Sequence, residues 1–244
     1  MNMTLHPYSH HLAEAAAANG DRIAVVDEEG EASYAELDRC ASALASYLID
    51  AGLARGERVA VVQKNGRRYM ESVCAVARVG GVYVPMLGLL PDSDHDFIVN
   101  DSGAKLVICL DDRTSKRCAR FLDEGRVSQV IAVGRGLGKP EPGVVDYDLA
   151  TEGSRVPDAR VEEAEAGAAA QILYTSGTTG KPKGVVHSRR AVEAAIRGWA
   201  RWVSMCDGDA KVEADGARRR PQTTSGAFRP RSGARRSSTR RTVG

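Results

Sequence analysis

The chain has 244 residues, 43% of them hydrophobic, and a formal net charge of +2, which together read as a soluble globular protein of one large domain or two small ones. No apolar run is long enough to span a bilayer, and residues 1–20 lack the apolar segment and small-residue cleavage site of a secretory leader. The small net charge conceals a split: residues 210–244 hold 10 of the 34 Lys+Arg and 2 of the 32 Asp+Glu, so −6 over residues 1–209 is followed by +8.

In chain order, His6, His10 and His11 come first. A pair four apart can share a helix face, but a cluster at a terminus reads as solvent-exposed rather than as a metal site. Residues 22–26 read as a strand, 27–30 as a turn and 31–33 as a short return strand, giving a hairpin. Ser33-Tyr34-Ala35-Glu36 has capping-box spacing, so a helix starts there. Its apolar positions Leu37, Ala41, Leu44, Ala45, Leu48 and Ile49 follow helical spacing, and Gly52 is placed to end it. Residues 58–62 form a continuous apolar strand. A helix over residues 67–79 puts Met70, Val73, Cys74 and Ala77 on one face, and residues 82–84 restart a strand before Pro85. Ser93 can cap a helix that contains Phe97 and Ile98 and ends at Gly103. Residues 106–110 are the next strand, 114–123 a helix candidate and 129–133 a further strand. Continuous apolar strands alternating with amphipathic helices predict an α/β fold with a mainly parallel sheet covered on both faces.

Residues 134–170 are rich in Gly, Pro and acidic side chains and read as a surface connection. Beyond residue 187, Val192, Ala195, Ile196 and Trp199 fall on one helical face. Cys40, Cys74, Cys109, Cys118 and Cys206 are widely spaced without a Cys-x-x-Cys pair, and read as reduced cysteines of a cytoplasmic protein.

The densest chemistry lies in residues 171–187, QILYTSGTTGKPKGVVH. Ile172, Leu173 and Tyr174 make a short apolar strand, Val185 and Val186 resume one, and the loop between them lies at a strand end. Gly177, Gly180 and Gly184 lack Cβ atoms, which lets the backbone take positive φ and bring amides against an anion. Thr175, Ser176, Thr178 and Thr179 add hydroxyl donors, Lys183 a mobile positive charge, and Pro182 stiffens the approach to that lysine. Such a loop suits a polyphosphate. It is not a Walker loop: two residues, not four, separate Gly177 from Gly180, and Pro182 follows Lys181. His187 reads as a structural residue at a strand end rather than as a catalytic base.

The order Thr-Ser-Gly-Thr-Thr-Gly-x-Pro-Lys-Gly over residues 175–184, with Tyr174 before it, resembles the signature of adenylate-forming (AMP-binding) enzymes: acyl-CoA synthetases, peptide synthetase adenylation domains and luciferases. The hairpin, Ser-Tyr-Ala-Glu-Leu, Gly-Gly-Val-Tyr-Val-Pro at residues 80–85 and Asn-Asp-Ser-Gly-Ala-Lys at residues 100–105 look like the opening of acyl-CoA synthetases, where they form scaffold. The resemblance implies the N-terminal portion of that fold. It also implies a reaction in which ATP and a small carboxylic acid give an acyl-adenylate, which a thiol, usually coenzyme A, then takes. Thr175, Ser176, Gly177, Thr178, Thr179, Gly180 and Lys183 would hold the β- and γ-phosphates, with Mg²⁺ sharing the charge. Catalysis would rest on positioning and electrostatics rather than on covalent chemistry by the protein, and no residue of this chain is assigned as a metal ligand. Lys181 falls on the family's variable position.

The family's later elements, among them its adenine, ribose and hinge motifs and its catalytic lysine, have no counterpart after residue 209. The expectation is a partial AMP-binding domain over residues 1–209, inactive alone, with uncovered apolar faces that favour aggregation or chaperone dependence. The alternative classes are a non-catalytic nucleotide-binding fragment and a basic-tailed nucleic-acid interaction protein. Residues 210–244, Arg-rich with Phe228 as the only aromatic, read as a disordered stretch from a shifted reading frame rather than as a nucleic-acid arm.

Overall fold

The computed structural model describes residues 8–111, 114–133, 143–152, 166–175 and 181–203. Helix α1 (Tyr8–Asn19) precedes an antiparallel hairpin of β1 (Ile23–Asp27) and β2 (Gly30–Ser33). Helix α2 (Tyr34–Asp50) starts as its sequence predicts. The Ser33 Oγ accepts from the Glu36 amide at 3.2 Å, and the Glu36 carboxylate accepts from the Ser33 amide at 2.7 Å. There follow β3 (Arg58–Gln63), α3 (Arg67–Arg78), β4 (Val82–Leu87), α4 (Asp92–Ser102), β5 (Ala104–Cys109), α5 (Ser115–Asp123), β6 (Gln129–Ala132), β7 (Val144–Asp146), α6 (Tyr147–Thr151), β8 (Ala169–Thr175), β9 (Lys183–Ser188) and α7 (Arg189–Val203).

Among the described residues, seven strands form one sheet in the order β7-β6-β5-β3-β4-β8-β9, parallel except for the β8–β9 pair. The continuous apolar strands are explained by burial on both faces. Val59, Val61, Leu106, Ile108 and Ile131 point to one face and pack under Leu44 and Leu48 of α2, Ala75 and Val76 of α3, and Tyr147 and Ala150 of α6. Their neighbours Ala60, Val62, Val107, Cys109 and Val130 point to the other, under Ile98 and Val99 of α4 and Cys118 and Phe121 of α5. The four described cysteines are free, and no helix among the described residues is long and apolar enough to cross a membrane.

Several local expectations differ from the structure. Strand β4 runs through Pro85, which pairs with Val61 of β3. On its other side β4 meets β8 only at Tyr83 and Gln171, a sparse ladder consistent with a residue that lacks an N–H donor. Ser93 does not cap α4. The helix begins two residues earlier, at Asp92 behind Pro91, with Asp92 and Asp94 in the first turn complementing the helix dipole. Within residues 134–170, Val144–Asp146 adds a strand at the sheet edge and Tyr147 is buried, so this stretch is not only a surface connection. The buried side of α3 also differs. Met70 is exposed, whereas Glu71 and Ser72 are buried.

Glu71 accepts a hydrogen bond from Tyr147 Oη at 2.9 Å. Burial pushes its carboxyl up to about 7, against the opposing Tyr147 hydrogen bond and the Arg68 and Arg67 charges. A buried acid lies where helical periodicity alone placed none. On α7 the polarity is likewise inverted. Arg189 and Glu193 are buried, while Ala195 and Ile196 are exposed. Glu193 is held by His11 Nε2 at 3.0 Å and by Arg197 Nε at 2.5 Å, which ties α7 to α1. Of the N-terminal histidines, His10 and His11 also face Glu14, at 3.9 and 3.5 Å. No group of three potential metal ligands occurs among the described residues; His6, Cys206 and the Arg-rich stretch lie outside them.

Candidate functional site

The signature stretch folds as the β8–β9 hairpin. Its register sets Ile172 opposite Val186, Tyr174 opposite Gly184 and Thr175 opposite Lys183. Because β8 runs parallel to β4, Thr175 lies at the carboxyl end of the parallel strands, where open α/β sheets bind ligands. Thr175 and Lys183 are exposed, and among the described residues no carboxylate pairs with Lys183. Lys181 is exposed two residues earlier, outside the strand. Ser176, Gly177, Thr178, Thr179 and Gly180 lie outside the described residues. The structure therefore brings Thr175 and Lys183 together as the two ends of the loop.

Gly184 has a different role from the one its sequence context suggests. It is not among the positive-φ glycines; it sits within β9, and a Cβ there would come within 3.0 Å of both Ile172 Cγ2 and the Tyr174 ring. Its missing side chain makes room for Tyr174. The Tyr174 ring packs edge-on against Phe97 of α4, with centroids 6.4 Å apart, and its hydroxyl donates to Asp101 at 2.7 Å. Burial, then the Asp101 hydrogen bond and charge, raise the phenol's pKa, so it remains a donor. His187 Nδ1 lies 3.3 Å from Gln171 Nε2, its cross-strand neighbour, in keeping with a structural role.

A second recess, with a volume of about 570 Å³, opens at the carboxyl ends of β3, β5 and β6 and is lined by Lys64, Arg67, Leu110 and Val133 among others. It includes the N-terminus of α3, but the protein supplies its own anion there. Asp27 accepts from the Arg67 amide at 2.8 Å and from its guanidinium at 2.8 Å. Burial would raise the Asp27 carboxyl, yet these bonds outweigh it and hold it below the ordinary carboxylate range. Lys64 pairs with Glu28 at 3.1 Å, and Arg68 with Glu29 at 3.2 Å and Asp148 at 2.9 Å. A phosphate entering this recess would have to displace carboxylates, whereas one at the hairpin would meet Lys183, which pairs with no carboxylate among the described residues.

A family model for AMP-binding enzymes matches residues 12–215, taking in the sheet, the hairpin and α7. The chain belongs to the AMP-binding enzyme family. It is 32% identical over 188 residues to the nonribosomal peptide synthetase ecdA of Aspergillus rugulosus, covering 76% of this chain and 2% of that protein. It is 34% identical over 194 residues to the AMB antimetabolite synthetase AmbB of Pseudomonas aeruginosa, covering 78% and 14%. Among solved structures, the inhibitor-bound N-terminal domain of FACL13 from Mycobacterium tuberculosis superposes with a TM-score of 0.69 at 26% identity, covering 83% of this chain and 48% of that one. This AMP-binding chain thus spans a small fraction of its curated relatives and about half of the solved domain. It corresponds to the N-terminal part of the adenylate-forming fold.

Proposed function

We propose that this chain holds the polyphosphate of ATP for an adenylate-forming ligase that activates a small carboxylic acid. The observation that carries the reading is the hairpin register, which sets the Thr175 hydroxyl and the Lys183 ammonium at the two ends of one loop, at the carboxyl edge of the sheet. Thr175, Ser176, Gly177, Thr178, Thr179, Gly180 and Lys183 would surround the β- and γ-phosphates, with Mg²⁺ entering alongside the nucleotide. Neutralising the leaving pyrophosphate in this way favours attack of a carboxylate on the α-phosphorus, with no covalent bond to the protein.

The acceptor of the activated acyl group is read as coenzyme A, supported by the opening segments that resemble acyl-CoA synthetases. A second reading is favoured by ecdA and AmbB, namely adenylation on behalf of a peptide synthetase with a carrier-bound thiol. Both readings share the phosphate chemistry. The free state of Cys40, Cys74, Cys109 and Cys118 supports placing the protein in the reducing cytoplasm.

The test is competition for bound Mg·ATP in equilibrium dialysis. Pyrophosphate, which fills the β- and γ-phosphate positions, is expected to displace ATP at a concentration at least about tenfold below that required of AMP, in line with charge-assisted bonds to those phosphates. Displacement by AMP alone would place the recognition on the nucleoside and overturn the assignment of the loop.

A further inference from the structure

The geometry points to Tyr174 and Asp101 as a positioning pair that sets the phosphate-binding hairpin on the body of the domain. This inference rests on the phosphate-binding reading of the loop given above. Tyr174 is the last residue before Thr175, and its cross-strand partner Gly184 is the first after Lys183. Whatever fixes the Tyr174–Gly184 rung therefore fixes the spacing and direction of the two residues that begin and end the loop.

Three contacts converge on this rung. From α4, the Asp101 carboxylate takes the Tyr174 hydroxyl at 2.7 Å and the Phe97 ring meets the Tyr174 ring edge-on, 88° between planes. From β9, Gly184 leaves the ring its place, since a Cβ there would lie 3.0 and 3.2 Å from Tyr174 Cζ and Cε1. Elsewhere β8 packs Ile172 against the core, but the hairpin's strand pairing to the sheet is sparse. Strand β8 joins β4 at the single rung Tyr83–Gln171, and among the described residues β9 is an edge strand with Val185 46% and Val186 61% exposed. A hairpin with so little ladder beneath it needs a side-chain anchor to hold Lys183 in one place. The Asp101 hydrogen bond is charge-assisted and reaches across 73 positions of sequence, which suits it to that task. Neither Tyr174 nor Asp101 is assigned a contact with phosphate; both act through Thr175 and Lys183.

The test uses the full chain, with magnesium pyrophosphate as the probe and dissociation constants measured by titration calorimetry. Tyr174→Phe keeps the ring and its packing but removes the donor, and is expected to weaken binding about five- to tenfold with little change in the thermal midpoint. Asp101→Leu should cause the same loss, and the double variant no more than either single one, as for a coupled pair. Asp101→Asn retains an oxygen acceptor and should restore affinity to within about twofold of the parent. If the parent binds and Lys183→Ala weakens it, but Tyr174→Phe and Asp101→Leu do not, the positioning role is overturned while the phosphate reading stands. If the parent shows no binding, or binding indifferent to Lys183→Ala, both are overturned. Additive losses in the double variant would also contradict the pair, because they would mean that the two side chains act separately.

Discussion

Lys183→Ala is expected to weaken Mg·ATP binding about ten- to a hundredfold, the loss associated with one hydrogen bond to a charged group, while Lys181→Ala leaves it within about twofold. The two lysines are both exposed and only two positions apart, so the contrast isolates geometry from net charge. Lys183 begins β9 and is fixed opposite Thr175, whereas Lys181 precedes the strand, with Pro182 between them. Neither side chain is buried, so both variants should unfold at the parent's midpoint, and calorimetric titration then reads binding alone. Equal losses from the two substitutions would indicate diffuse attraction to a polyanion and not a defined site.

Glu71→Gln is expected to stabilise the chain by up to about 3 kcal/mol at pH 8 and by less than about 1 kcal/mol at pH 5. Glu71 shifts from the ordinary value of 4.5 to about 7 in the fold, and each unit corresponds to about 1.4 kcal/mol. Between these values the folded state holds a proton that the unfolded chain has released, so stability falls as pH rises through the window. Below 4.5 both states are protonated and the penalty vanishes; above about 7 it is complete. A glutamine at this position would have no proton to lose, and its amide oxygen can still accept from Tyr147. Urea unfolding at pH 5, 6, 7 and 8 checks the slope. A variant as pH-sensitive as its parent would show that Glu71 titrates normally, and the assigned burial effect would fail.

The alternation of strands and helices was legible because burial on both sheet faces forces continuous apolar runs such as those around Val59–Val62 and Leu106–Cys109, and because Ser33 and Glu36 cap α2 through purely local contacts. The strand-end position of the loop between Thr175 and Lys183 followed from the same pattern, while its place at the carboxyl edge needed the β8–β4 pairing. What escaped depends on partners distant in sequence. Glu71 is tolerated in the core because Tyr147, 76 positions away, supplies a donor. Glu193 is buried on α7 because His11, 182 positions away, meets it. Helical periodicity counts each as a polar break and so rotates the expected buried face. Gly184 departs from its expected role for a related reason. A glycine in a phosphate-loop motif suggests a positive φ, but this one lies in the strand and leaves room for the Tyr174 ring, which only the hairpin register reveals.

Amide hydrogen exchange on the full chain, with and without saturating Mg·ATP, tests most directly whether the β8–β9 loop is where the polyphosphate sits. Slowed exchange is expected to concentrate in peptides spanning residues 175–184, with peptides from the recess around Lys64–Arg68 unchanged because their cations are already paired. Protection at Lys64–Arg68 with none at residues 175–184 would contradict this and move the anion site to the N-terminus of α3.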